Sequence, residues 1–260
     1  MKNISKTVLI TGGLGGIGLE LVSFFFDKNF NVIILDNKKI DYFKKLKINK
    51  IKKNNFIVYK KINLINSHLV KKLFINLIQK HNKIDVLINC AGIQYVSKIE
   101  HFPDHKWNEI ININLSSFFY TIKNILPLMK SNKWGRIINI SSVHGLVASI
   151  DKSAYVASKH GIIGLTKTIA LETATLPITV NAICPGWVNT PLVSKQIQDK
   201  VKINKSNKEI ETKKLLITKH PNLKFIPGKA IASLAFYLCS EEASEITGAS
   251  INIDGGWISQ

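Results

Sequence analysis

The stretch TVLITGGLGGIG, residues 7–18, decides how the chain folds. It begins as a short apolar, β-branched run, continues as a glycine-rich turn and opens an amphipathic stretch that extends to residue 29. Glycine is needed where a backbone turns sharply and where phosphate oxygens approach main-chain N–H groups at the amino end of a helix. The order strand, glycine turn, helix therefore predicts a phosphate-binding loop made of Thr11, Gly12, Leu14, Gly15, Gly16, Ile17 and Gly18.

Six further apolar runs lie at residues 31–36, 55–62, 83–89, 135–141, 178–183 and 250–254. They are unbroken, as expected for strands covered on both faces, and stretches of helical periodicity separate them. This alternation predicts an α/β protein with a single domain, residues 1–260: a Rossmann-type, doubly wound parallel sheet of about seven strands with helices on both faces. The lysine-rich segment 190–226 interrupts the alternation, and we expect it to form a helical lid over a substrate.

The composition is that of a folded chain with an unusual charge. Of 260 residues, 45% are hydrophobic and 20% are charged, which permits a sizeable core and excludes collagen-like or broadly disordered chains. Lys and Arg number 36 against 17 Asp and Glu, a net charge of +19, and Arg136 is the sole arginine. Because phosphate and base recognition favours arginine, we interpret the lysine excess as a compositional bias. We expect no nucleic-acid partner and no membrane partner.

The cysteines and the amino terminus give no sign of an extracellular or membrane protein. Cys90, Cys184 and Cys239 are far apart and lie outside any CxxC pair, so we predict neither a disulfide framework nor a metal site. The chain reaches the glycine turn after a short apolar stretch, and no run approaches the roughly 18 apolar residues of a membrane span. We therefore expect a cytoplasmic location.

Asp36 ends the second apolar run and bears on the choice of cofactor. Its separation from Gly18 is usual for a carboxylate that accepts hydrogen bonds from an adenosine ribose. A carboxylate at this position would repel a 2′-phosphate, which predicts NAD as the cofactor. Lys38 and Lys39 follow closely and could weaken the repulsion, so NADP stays open at this point.

Tyr155 and Lys159 are four residues apart and lie on one face of a predicted helix, residues 152–174. An adjacent ammonium group lowers the pKa of a phenol from its ordinary value near 10, which makes Tyr155 a candidate acid and base. Ser142 directly follows the preceding predicted strand, residues 135–141, where its hydroxyl can orient a carbonyl group.

These residues, together with Asn89-Cys90-Ala91-Gly92, Asn114 and Pro185-Gly186, resemble the short-chain dehydrogenase/reductase family over essentially the whole chain. The resemblance implies hydride transfer to or from a nicotinamide cofactor and a homotetramer. It also implies that Tyr155 moves the proton, Lys159 holds the nicotinamide ribose, Ser142 polarises the reacting oxygen and Asn114 anchors a relay water. Further cofactor contacts implied by the resemblance are Asn63, Leu64, Asn89, Ala91, Gly92, Tyr155, Lys159, Pro185, Gly186, Val188 and Thr190.

The chain departs from the family pattern at two positions. Cys90 stands where the family usually has a second asparagine, and Asn63 stands where it usually has an aspartate that contacts adenine. An asparagine oxygen can still accept the adenine amino hydrogen, so we expect weaker cofactor binding at most.

A second set of residues points to the substrate. Gln94, His144, Lys152 and Gln196 carry donors that could converge on a small carboxylate, while two indoles, Trp187 and Trp257, would form an apolar side. Such a pocket fits a short hydroxy acid or keto acid. The segments HGLVAS (144–149), DKSAYVASKHG (151–161), PGWVNTPLVSKQI (185–197) and DGGW (254–257) resemble family members that act on short 3-hydroxy acids, which implies that Leu192 joins the apolar side and that Ser142 and Tyr155 contact the substrate.

Two alternatives stay open. A 3-oxoacyl or sugar-alcohol reductase on the same scaffold would use NADPH and have a pocket open to a longer substrate. A nucleic-acid or membrane-surface binder that kept a dehydrogenase fold is suggested by the net charge alone. We interpret four further histidines, His101, His105, His160 and His220, as surface or packing residues.

Overall fold

The computed structural model describes residues 5–39 and 55–259, and it contains a seven-stranded parallel sheet. The sheet order is β3-β2-β1-β4-β5-β6-β7. The strands are β1 (Thr7–Thr11), β2 (Asn31–Asp36), β3 (Ile57–Lys61), β4 (Val86–Asn89), β5 (Gly135–Ile140), β6 (Ile178–Pro185) and β7 (Ser250–Ile253). Each coincides with a predicted apolar run or is a few residues shorter or longer than it, and the predicted fold class is confirmed.

Eight α-helices lie within the described part of the chain. They are α1 (Gly16–Asp27), α2 (Ser67–His81), α3 (Asp104–Ile111), α4 (Ser117–Ser131), α5 (Ser153–Glu172), α6 (Pro191–Asn204), α7 (Lys208–Ile217) and α8 (Gly228–Tyr237). None of these helices is both long enough and apolar enough to cross a membrane.

Both faces of the sheet are buried under helices. Alternate residues of β1 point to opposite faces: Val8 and Ile10 join the core with α1 and α8, whereas Leu9 joins the core with α2, α4 and α5. This packing explains why the strand sequences are apolar without interruption. The single-domain prediction for residues 1–260 extends over residues 1–4, 40–54 and 260, which lie outside the described residues.

The strand order places a crevice at the carboxyl edge of the sheet. The chain winds from β1 to β2 in one direction and crosses back to β4 on the other side of β1. Ligands of open α/β sheets bind at such a reversal of strand order, outside the carboxyl ends of the strands. The helices α6 and α7, which fall within the segment predicted as a lid, pack through Ile197 and Leu215 into one apolar cluster with Trp187 and Trp257.

Candidate active site

The glycine turn after β1 brings three chain segments into close contact. Gly12 has a φ of +63°, and a Cβ atom there would come within 2.6 Å of the Cα of Ala91. Gly16, the first residue of α1, leaves no space for a side chain beside Thr190. The absence of side chains at Gly12 and Gly16 therefore allows these segments to pack together around the amino end of α1, where free N–H groups are suited to a diphosphate.

A groove of about 360 Å³ runs along this turn and over the ends of β1, β4 and β5. Most predicted cofactor residues line it. They are Gly12, Gly15, Gly16, Ile17, Gly18, Asp36, Asn63, Leu64, Ala91, Gly92, Tyr155, Lys159 and Thr190. Thr11 does not line the groove, but its hydroxyl accepts hydrogen bonds from Cys90 N at 3.0 Å and Ala91 N at 3.3 Å, which fixes the β4 loop against the glycine turn.

Asp36 lies in the groove at the carboxyl end of β2, and its side chain is 6% exposed. One carboxylate oxygen accepts from Leu14 N at 2.9 Å, and the other accepts from Lys38 N at 3.0 Å. The Lys38 ammonium donates to Leu14 O at 2.9 Å. The carboxylate charge is therefore held in the groove by backbone donors.

The Asn89 side chain does not reach the groove. It is fully buried, where its Nδ2 donates to Asn139 Oδ1 at 3.0 Å and its Oδ1 accepts from Thr121 at 2.7 Å. Asn139 in turn donates to Thr166 at 2.9 Å. The side chain predicted as a cofactor contact instead ties β4 to β5 and α4.

Tyr155, Lys159 and Ser142 meet where the groove ends. The ammonium of Lys159 lies 5.6 Å from the ring centroid of Tyr155 and donates to Ile140 O at 2.9 Å. Burial lowers the pKa of Lys159 to about 8 and raises the pKa of Tyr155 to about 12, and a hydrogen bond with Ser142 opposes the rise at Tyr155. The predicted lowering of the phenol pKa was wrong, because desolvation outweighs the hydrogen bond with Ser142.

Asn114 lies in a π-helical turn, Asn112–Ser116, between α3 and α4. Its Oδ1 accepts from Ile93 N at 2.9 Å, and its Nδ2 lies 3.0 Å from Ile93 O and 3.2 Å from Ser158 Oγ. Single π-helical turns are often found at functional sites. Here the turn brings Asn114 to the loop after β4, next to Lys159, and its proposed relay role stays a prediction.

A second pocket, of about 80 Å³, continues from the groove beyond Tyr155. It brings together nearly all of the predicted substrate residues, namely Gln94, Ser142, His144, Lys152, Tyr155, Trp187, Leu192 and Trp257. Gln196 does not line the pocket but donates to Gln94 Oε1 at 3.4 Å. Pro185, Gly186 and Val188, predicted as cofactor contacts, line this pocket rather than the groove.

On the polar side of the pocket, and at Trp187 on its apolar side, buried nitrogen atoms lack partners. The atoms Gln94 Nε2, His144 Nε2 and Trp187 Nε1 are buried and have no hydrogen-bond partner among the described residues. Burial, and then the charges of Lys152, Lys219 and His160, lower the pKa of His144 to about 3. The imidazole is therefore neutral at neutral pH, and Ser142 Oγ lies 3.4 Å from its Nδ1.

Lys152 adds a cation to the same side. Its side chain is 8% exposed, and its ammonium lies 4.5 Å from the Trp187 ring centroid. Burial, and then the charges of Lys200 and Lys219, lower its pKa to about 8. A buried ammonium beside unpartnered donors favours an anion in the pocket.

A sequence model described as short chain dehydrogenase matches residues 6–201. The chain belongs to this family. Two D-beta-hydroxybutyrate dehydrogenases are each 41% identical to it: that of Rhizobium meliloti over 99% of this chain and 100% of its own, and that of Cupriavidus necator over 98% of both. Among solved structures, an actinorhodin polyketide ketoreductase with NADPH superposes with a TM-score of 0.90, at 27% identity over 97% of each chain.

This short-chain dehydrogenase carries a thiol in its cofactor groove. Cys90 lines the groove, and burial raises its pKa to about 12 against the opposing charge of Lys159. The thiol is therefore neutral at neutral pH and adds no charge beside Tyr155 and Lys159. The remaining two cysteines, Cys184 and Cys239, are buried and free.

Sequence reasoning missed one residue next to the dehydrogenase pocket. His220 was interpreted as a surface or packing residue; it is fully buried, as a packing residue is, and in addition its Nε2 accepts from Trp187 N at 2.8 Å. No motif surrounds it, and it follows a run of lysines that is typical of a solvated helix. The sequence therefore offered no signal that could have identified it.

Proposed function

We propose that this short-chain dehydrogenase oxidises D-3-hydroxybutyrate to acetoacetate with NAD, in a reversible reaction. The observation that carries the proposal is a pocket of about 80 Å³ lined by Gln94, His144 and Trp187, each with a buried nitrogen that has no partner among the described residues, and also by Lys152 and Trp257. Both relatives at 41% identity are named D-beta-hydroxybutyrate dehydrogenase.

The polar side would hold the substrate carboxylate. A carboxylate accepts several hydrogen bonds, and Gln94, His144 and Lys152 offer donors within one small pocket. Gln196 would act through its bond to Gln94. Each donor is costly to leave unpaired in a buried site, so a matching anion would be favoured over a neutral molecule.

Trp187, Leu192 and Trp257 would surround the methyl end of the substrate. The two indole centroids are 5.4 Å apart, and both rings contact His144 edge to face, at 6.2 Å for Trp187 and 5.2 Å for Trp257. This packing would leave space for a short alkyl group and would exclude a long chain.

Tyr155 and Ser142 would act on the reacting oxygen. During oxidation the hydroxyl proton of the substrate passes to the Tyr155 oxygen, while Ser142 donates to the developing carbonyl oxygen. Burial disfavours the phenolate of Tyr155, so its hydrogen bond with Ser142 and the charge of Lys159 would stabilise the basic form. A bound NAD would accept the hydride that leaves the alcohol carbon.

NAD is proposed over NADP because of Asp36. The glycine turn and the amino end of α1 fit a dinucleotide diphosphate, and Asp36 would accept hydrogen bonds from the adenosine ribose hydroxyls. A 2′-phosphate would meet its negative charge. The Lys38 ammonium, which could weaken that repulsion, donates instead to Leu14 O.

One spectrophotometric assay tests the proposed function. NADH formation is followed at saturating NAD with D-3-hydroxybutyrate and, separately, with the L enantiomer. We expect turnover with the D enantiomer and far slower turnover with the L enantiomer, because the fixed carboxylate and Tyr155 leave one face of the carbon towards the cofactor. Equal rates, or no turnover with either enantiomer, would contradict the proposal.

A second candidate is a 3-oxoacyl reductase. The 3-oxoacyl-[acyl-carrier-protein] reductase of Thermotoga maritima is 31% identical to this chain, over 99% of this chain and 100% of the reductase. This activity would need NADPH and a pocket open to a carrier-bound chain, whereas Trp187 and Trp257 close the pocket. NADPH-dependent reduction of an acetoacetyl thioester faster than acetoacetate would favour it.

We further propose that α6 and α7 act as a lid. Val193 and Ile197 of α6 contact the aromatic side of the pocket, so movement of these helices would open it.

We also propose that the protein is a homotetramer. An apolar hollow between α4 and α5 contains Phe119, which is 45% exposed, and a second copy of the chain would cover it. Light scattering tests the tetramer, and a monomer at micromolar concentration would overturn it.

A further inference from the structure

His220 is the buried histidine that joins the end of α7 to the pocket. Its Nε2 accepts from Trp187 N at 2.8 Å, and its Nδ1 lies 2.7 Å from Lys224 O. Because the first partner is an N–H donor and the second is a carbonyl acceptor, the ring must be neutral with its hydrogen on Nδ1. Both nitrogens are thus used to hold backbone groups of two different segments.

The first of these segments directly follows β6. The backbone N–H of Trp187 donates to His220, and the backbone carbonyl of Trp187 accepts from Ile226 N at 2.8 Å. Gly186 precedes it, and any side chain at Gly186 would collide with the imidazole of His220. The backbone that carries the Trp187 indole is therefore fixed by His220 on one side and by residue 226 on the other.

The imidazole also contacts the second indole. Its ring centroid lies 5.7 Å from that of Trp257, with the planes at 65°. Trp257 in turn packs 5.4 Å from Trp187. One buried side chain thus contacts both members of the aromatic side of the pocket.

We infer that His220 is a positioning residue that fixes Trp187 and Trp257 and so limits the length of the alkyl chain that the pocket accepts. The inference rests on the proposed function, in which those indoles surround the methyl end of a short hydroxy acid. His220 does not line the pocket, so it acts on the substrate through the two tryptophans.

Three variants separate this role from a general loss of stability. His220→Phe keeps the ring and removes both hydrogen bonds, His220→Asn is too short to serve both partners, and His220→Gln offers one acceptor and one donor. His105→Phe, at an exposed position on α3, is the matched control. Each variant is assayed with four-carbon and five-carbon D-3-hydroxy acids at saturating NAD.

For His220→Phe and His220→Asn we expect the KM for the four-carbon acid to rise by about tenfold, with a smaller change in kcat, because displaced indoles weaken binding at the alkyl end. The ratio of kcat/KM for the five-carbon acid to that for the four-carbon acid should rise. His220→Gln and His105→Phe should stay close to the unmodified protein in both respects. If both this ratio and the KM are unchanged in His220→Asn, the inference is overturned. The result for His220→Asn is sufficient for this test even if His220→Phe does not fold.

A second measurement does not depend on the substrate. Quenching of tryptophan fluorescence by acrylamide reports how accessible the indoles are, and both Trp187 and Trp257 are buried. We expect stronger quenching in His220→Phe and His220→Asn than in His220→Gln at equal helical content by circular dichroism. If the unmodified protein fails to oxidise D-3-hydroxybutyrate, the proposed function fails, yet the quenching still decides: equal quenching in all variants would overturn the positioning role.

Discussion

The ammonium of Lys159 lies 5.6 Å from the Tyr155 ring centroid, and burial shifts the two pKa values away from each other, to about 8 for Lys159 and about 12 for Tyr155. At neutral pH Lys159 is therefore a charged ammonium and Tyr155 is an uncharged phenol. Tyr155 is ready to donate a proton to a carbonyl oxygen, whereas abstraction of a proton requires stabilisation of its phenolate. The pair is thus suited to reduction as it stands and to oxidation once further positive charge is close by.

Replacement of Tyr155 by phenylalanine should lower kcat by about 10²–10⁴-fold, because it removes the proposed proton donor and acceptor and keeps the ring. NADH binding, followed by its fluorescence, should change little. Tyr237→Phe is the control, at a tyrosine that is 47% exposed on α8. Residual turnover within tenfold of the unmodified protein would remove Tyr155 from the mechanism.

Asp36→Asn tests the cofactor preference. The asparagine keeps an acceptor for the Leu14 or Lys38 N–H and loses the charge that would repel a 2′-phosphate. We expect the ratio of kcat/KM for NAD to that for NADP to fall by about tenfold or more. Asp104→Asn, at an exposed position at the start of α3, should leave the ratio unchanged. If NADP already supports turnover as well as NAD in the unmodified protein, Asp36 does not select the cofactor.

The strands and the glycine turn could be predicted because their signals are local. Unbroken apolar runs and the steric needs of a turn such as that at Gly12 are readable from neighbouring residues. The role of Asn89 was not readable, because it depends on strand register, which places Asn139 opposite it. The burial of Tyr155 depends on segments that are far away in sequence, so the raised pKa of its phenol could not be predicted. The hydrogen bond from Trp187 N to His220 likewise joins distant segments, and the sequence does not indicate it.

Hydrogen exchange tests whether α6 and α7 form a lid. With NAD and butyrate, a short acid that lacks the reacting hydroxyl, amide exchange in Pro191–Ile217 should slow relative to the free protein, because closure would bury these helices against the pocket. Gly228–Tyr237 serves as an internal reference, since α8 packs on α1 away from the lid. Equal exchange of 191–217 in both states would contradict the lid.

The net charge of +19 predicts a dependence on ionic strength. Lysine charges attract a carboxylate towards the pocket, and salt shortens their range from about 30 Å at 0.01 M to about 3 Å at 1 M. The value of kcat/KM for the hydroxy acid should fall as potassium chloride is added, while kcat at saturating substrate changes less. A kcat/KM that does not respond to salt would show that the lysine excess does not steer the substrate.

Lys152 predicts a rise in KM above neutral pH. Its pKa is lowered to about 8, so the ammonium is charged below pH 8 and is neutralised as the pH rises through that value. In the proposed function the charged form binds the substrate carboxylate, hence KM for D-3-hydroxybutyrate should be lowest below pH 8 and increase above it.

Lys159 has a pKa close to that of Lys152, so the two titrations must be separated. Lys152→Met removes the cation from the pocket and should raise KM by about tenfold or more at pH 7, since a charge-assisted hydrogen bond is lost. In this variant KM should no longer increase through pH 8, whereas the pH dependence of kcat, which follows Tyr155 and Lys159, should persist. Lys167→Met, at an exposed position of α5, should keep both profiles. If KM of Lys152→Met still rises through pH 8, the group that binds the carboxylate is another one.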